Sequence, residues 1–138
     1  MRAKLIETEH EEGGAVVLEV NGERLVAMDC LGYNAASYPE IGSDFEVEFR
    51  CLHSEGQDWN SLFGGNVEEA KRLDHKNVWA YRAFGQLVSV ESEVTEAALA
   101  DCGVCVLPVP VEVRDSKCIG EFVAFDVDRL DAWCKNDA

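Results

Sequence analysis

Two short spacings in this chain match the geometry of metal or thiol chemistry: Cys102-Gly103-Val104-Cys105 and Cys51-Leu52-His53. Two thiolates in a C-x-x-C turn can hold Zn²⁺ or cycle as a redox pair. A convincing zinc site needs a second pair of ligands, and no second C-x-x-C or H-x-x-H is present. A redox pair belongs at a helix N-terminus in a βαβ setting, which the surrounding residues do not suggest. Cys51 and His53 fall on one face of an extended segment, so Cys51, His53, Cys102 and Cys105 would converge on one metal only if their strands adjoin. The competing reading is a set of reduced core cysteines with His53 at a rim.

Other catalytic signatures are missing. The sequence contains no G-x-S-x-G, H-E-x-x-H, G-x-x-x-x-G-K-[ST] or G-x-G-x-x-G. Carboxylates are so abundant that their proximity to one another is uninformative for acid–base work, which needs a desolvated group. No catalytic residue and no cofactor is assigned from the sequence. Two features suit binding better. Trp59, Leu62 and Phe63 are large apolar residues in a segment otherwise rich in Gly and polar side chains. They read either as a lid on one end of a barrel or, through Trp59 and Phe63, as an aromatic anchor for a partner. Asp44, Glu46 and Glu48 recur at a two-residue spacing, ~6.6 Å apart along a strand, and form either a solvated face or an acidic docking strip.

The elements that would carry these residues are mostly strands. Ala15–Val20 and Glu23–Asp29 flank Asn21-Gly22, the signal of a type I′ hairpin. That turn sets Val20 opposite Glu23, Glu19 opposite Arg24, Leu18 opposite Leu25 and Val17 opposite Val26. Asp44–Cys51 alternates strictly, with Phe45, Val47, Phe49, Cys51 and His53 on one face. Residues 1–13 read as a polar lead-in in which Lys4–Ile6 adds an edge strand. Val67–Leu73 reads as a short helix capped by Asn66. Val78–Val90 reads as a long central strand with Gly85 at a bend. Glu91–Asp101 fits helix or strand. Val104–Val113 reads as a strand kept at a sheet edge by Pro108 and Pro110. Glu121–Val127 is the expected last strand, followed by a short helix from Asp128 through Trp133.

The expected fold is therefore mostly β with minor α: one domain over 1–138, with about five to seven strands and a short helix inserted after the third. That order resembles the OB-fold, a small Greek-key barrel, over residues 14–127, with the barrel and terminal helix reaching 134. The resemblance is one of pattern, and the charge departs from it. Lys and Arg number 12 against 27 Asp and Glu, a net charge of -15. An acidic skin opposes binding to nucleic acid and to anionic membranes. No apolar run reaches the ~20 residues of a transmembrane helix, and the N-terminus lacks a secretory signal pattern, so the expected address is the cytoplasm.

The function these features predict is a small non-catalytic protein that binds a basic protein partner, in its concrete form an immunity-type inhibitor of a basic toxin or enzyme. Asp44, Glu46 and Glu48 would supply charge, and Trp59 and Phe63 the anchor. Two alternatives stand beside it. One is a metal- or small-molecule-binding barrel, enzymatic or not, built on Cys51, His53, Cys102 and Cys105. The other is a homodimer pairing the Pro108–Pro110 edge or the Val78–Val90 face.

Overall fold

The computed structural model of the chain describes residues 1–11, 13–34 and 37–135. Its strands, in chain order, are β1 (Arg2–Thr8), β2 (Ala15–Val20), β3 (Glu23–Asp29), β4 (Asp44–His53), β5 (Arg72–Asn77), β6 (Ala80–Ser89), β7 (Leu99–Asp101), β8 (Val106–Pro108) and β9 (Phe122–Cys134). Two short helices, α1 (Leu31–Asn34) and α2 (Trp59–Gly64), and one 3₁₀ turn at Ser116–Cys118 complete the described elements. The protein is mostly β, as its alternation predicts. The strand count is nine and not five to seven, because the exposed β5 has no apolar alternation and the three-residue β7 ends a segment that fits helix or strand; β8 is the short part of the expected Val104–Val113 strand that pairs.

All nine strands belong to one sheet, in the order β3-β2-β1-β4-β9-β6-β7-β8, with β5 attached to β6. Neighbours run antiparallel, except that β3 also pairs in parallel with β9 at Met28–Asp131 and Asp29–Ala132. The hairpin of β2 and β3 adopts the register its turn dictates, from Val20↔Glu23 through Val17↔Val26. Asn21 and Gly22 take the positive φ values, 51° and 81°, that a type I′ turn demands.

Three segments differ from expectation. β1 is not an edge strand: it lies between β2 and β4, and burying Ala3 and Leu5 holds it there. The Val67–Leu73 helix does not form. The helix between β4 and β5 is α2, eight residues earlier, and it follows the fourth strand; α1 follows the third. Asn66 is not its cap but a buried amide that bonds backbone groups of three segments. The C-terminal helix from Asp128 to Trp133 is also absent, because β9 continues straight through to Cys134 with β4 on one edge and β3 on the other. Sheet partners on both edges outweigh a single capping residue.

The core lies inside the curl of this sheet. Phe125, Leu5, Leu18, Leu31, Leu87, Leu107 and Leu130 are fully buried there. β6 is central as predicted, between β9 and the β5 and β7 pairings. A Cβ at Gly85 would meet the Asp101 carbonyl at 2.8 Å and the Cys102 sulfur at 3.0 Å, so only glycine permits β7 to approach this closely. β8 ends the strand order, where its proline cannot donate to a further ladder. No helix among the described residues is long and apolar enough to cross a membrane.

Candidate functional site

The segment after β4 builds a small, fixed platform. Asp58 caps α2: its carboxylate accepts the Ser61 amide at 2.8 Å while the Ser61 hydroxyl accepts the Asp58 amide at 3.0 Å. These bonds hold the Asp58 carboxyl below the usual aspartate range, led by the Ser61 backbone N–H. The reciprocal cap fixes the helix although it has only six residues. Its apolar residues then divide. Leu62 is 1% exposed and plugs the core, and Phe63 is packed against that core. Trp59 remains 45% exposed, stacked on Phe63 with ring centroids 4.6 Å apart. The buried Leu62 and the exposed Trp59 thus lie on different faces of one helix.

The carboxylate strip on β4 is less bare than its spacing suggests. Glu46 accepts a hydrogen bond from the Met1 amine at 2.9 Å and lies 3.6 Å from Arg2, and the amine chiefly lowers its pKa. Glu48 lies 3.5 Å from Arg50, whose guanidinium sits 4.4 Å above the Trp133 ring. Asp44 is exposed. Two of the three charges are therefore offset where they stand.

The four thiol and imidazole candidates meet only in part. Cys51 Sγ and His53 Nε2 are 3.4 Å apart, and the same Nε2 lies 2.7 Å from the Pro108 carbonyl. A carbonyl only accepts, so Nε2 carries the proton. Burial lowers the His53 pKa more than this hydrogen bond raises it, and the ring is neutral near pH 7. Cys102 and Cys105 owe their spacing to the turn between β7 and β8, where the Cys102 amide bonds the Cys105 carbonyl at 2.9 Å and Gly103 has φ +83°. Burial pushes Cys51 and Cys102 up to about 12 and raises Cys105 well above the ordinary thiol value. These are protonated core thiols. Among the described residues, no group of three or more His, Cys, Asp or Glu is arranged to hold a metal ion.

A further feature, which the sequence does not display, lies beside Glu48, Cys51 and Cys105. A cleft of about 700 Å³ runs between β4, from Val47 to Cys51, and the far side formed by Thr95–Ala97, Leu99, Cys105, Val106 and Pro108. Its two walls are more than forty residues apart in the chain, so no local motif marks it. The one signal was Pro108, which forecast a free edge where the second wall stands. Comparison with protein families, curated proteins and solved structures returned no match.

Proposed function

We propose that this protein is a non-catalytic binding module for a basic protein, of the kind that covers and neutralises a cationic toxin or enzyme. The observation that carries the reading is Trp59: nearly half exposed, yet held by a capped helix whose Leu62 is sunk in the core. A large aromatic side chain already fixed before contact loses little entropy on binding, which is the property of an interface anchor. The net charge of -15 supplies long-range attraction to a cationic partner and speeds encounter at low salt. Around Trp59, the exposed carboxylates of Glu55 and Asp58 are its nearest acidic neighbours in the chain.

The architecture we propose for this module is an OB-like barrel. In its support, the pairings β1–β2, β2–β3, β3–β9, β9–β4 and β4–β1 lead round five strands and back to the first. β5 to β8 extend the sheet from β9.

Capture on the immobilised protein at low salt, followed by identification of what is retained, tests the functional reading. Cationic proteins retained by the wild type should be released by Trp59→Ala, with affinity reduced at least about thirtyfold, as expected for an anchor residue worth ~2 kcal/mol. The variant should unfold within about 1 kcal/mol of wild type, since the removed ring is largely on the surface. Retention of no basic protein, or equal retention by Trp59→Ala, would overturn the proposal.

A further inference from the structure

The register of β4 determines where its backbone groups point. The Lys135 amide bonds the Glu46 carbonyl at 3.0 Å, so the even-numbered residues of β4 face β9. The odd-numbered residues face the other edge, where the Val47 amide bonds the Met1 carbonyl at 2.9 Å. β1 pairs with β4 only at Asp44–Glu46. Beyond Val47, the N–H and C=O of Phe49 and Cys51 therefore point along an edge to which no strand is paired among the described residues. β8 faces the same gap. Its pairing with β7 uses the odd-numbered residues, as the Val109 amide to Ala98 carbonyl bond at 3.0 Å shows, and this turns the groups of Val106 and Pro108 outward. The Pro108 carbonyl is met by His53 at the closed end of the cleft.

We propose that this gap is a strand-addition site, which takes an extended segment of a cationic protein in which apolar residues alternate with Lys or Arg. The inference rests on the binding reading above and specifies its ligand. An incoming strand would continue the row that β1 occupies further along, and would bond Phe49 and Cys51 on one side. From Val47 to Cys51 the edge spans ~13 Å, room for about four extended residues. The cleft volume lies within the range of ligand sites, roughly 300–1,000 Å³. Period-two geometry then fixes the alternation. Residues turned inward meet Ala97, Leu99 and Cys105, and their neighbours turn out towards the rim, where Glu48 and Glu96 are exposed. Arg50, also at the rim, is turned onto Trp133 and engaged with Glu48. A second copy of this chain is disfavoured as occupant, because each copy brings a charge of -15.

The test uses the full chain labelled for amide NMR and a synthetic hexapeptide alternating valine and lysine, blocked at both ends. At millimolar peptide and low salt, exchange at the Phe49 and Cys51 amides should slow at least tenfold. A peptide N-methylated on the bonding amides, or one with glutamate in place of lysine, should bind at least tenfold more weakly. Ala97→Trp, which fills the cleft, should abolish the slowing. Unchanged exchange at both amides, equal binding of the N-methylated peptide, equal binding of the glutamate peptide, or slowing that survives Ala97→Trp overturns strand addition. Concentration-dependent slowing without peptide, with doubled mass, would assign the edge to self-pairing and likewise overturn it. If these fail while Trp59-dependent capture persists, only strand addition falls; if capture fails as well, the binding reading falls with it.

Discussion

Two edges of the same sheet are treated in opposite ways. Where β3 and β9 run out of strand partners, side chains take over the ladder. The Tyr81 hydroxyl accepts the Val26 amide and donates to the Val26 carbonyl, both at 2.8 Å. The Gln57 carboxamide does the same for Asp126, accepting its amide at 2.6 Å and donating to its carbonyl at 3.0 Å just beyond the end of the β4 pairing. Asn66 spreads its N–H groups over the carbonyls of Ala70, Gly85 and Val123 and accepts the Ala70 amide at 2.8 Å. Along β4 beyond Val47 no carboxamide or phenol among the described residues plays this part, and an apolar cleft lies there instead. An unpaired edge is a liability for a soluble sheet. Strand addition, as proposed above, would use the one stretch of β4 that such side chains leave open.

The contrast can be broken first at Asn66, which is 6% exposed and satisfies four backbone groups. Asn66→Ala strands several of them away from water and should cost about 3 kcal/mol, read from urea unfolding. A loss below about 1 kcal/mol would show that water or a rearranged loop serves equally well. Tyr81→Phe keeps the ring and removes only the hydroxyl, so a loss of about 1–2 kcal/mol is expected, together with faster amide exchange at Val26 and no change at Phe49. Equal acceleration at both amides would mean that the two edges are not independent.

The smallest effect lies at the junction of the two regions, where His53 ties β4 to β8. Its pKa in the folded protein lies below the ordinary 6.5 because burial penalises the imidazolium. The unfolded chain therefore binds the extra proton first. The stabilisation from neutral His53 is complete above about pH 6.5 and declines as pH falls towards and through the lowered folded value. His53→Gln should flatten the unfolding midpoint between about pH 7 and pH 5 relative to wild type. An unchanged slope would place the acid sensitivity elsewhere.

Much of this molecule was readable where the determining information is local. The Asn21-Gly22 turn set a six-residue register, and the alternation of Asp44–His53 set its buried face. Reading failed where distant partners decide. Asp128–Trp133 has a capping residue and polar content suited to a helix, yet β3 and β4 hold it as strand. Arg72–Asn77 is almost wholly exposed, so it has no apolar stripe and exists as β5 only through pairing with β6. Asn66 looked like a cap because capping and ladder replacement call for the same amide chemistry. Trp59, Leu62 and Phe63 stood out by composition, but which of them is buried and which exposed required the helix. The cleft was out of reach, since its walls are joined only by the path of the sheet.

Amide hydrogen exchange on the free protein tests the central claim most directly. Val26 and Asp126, whose edges are closed by Tyr81 and Gln57, should be protected, while Phe49 and Cys51 should exchange at least about a hundredfold faster, as expected for backbone groups without a stable partner. Protection of Phe49 and Cys51 equal to that of Val26 in the monomer would mean that the edge is already closed, and would contradict the account.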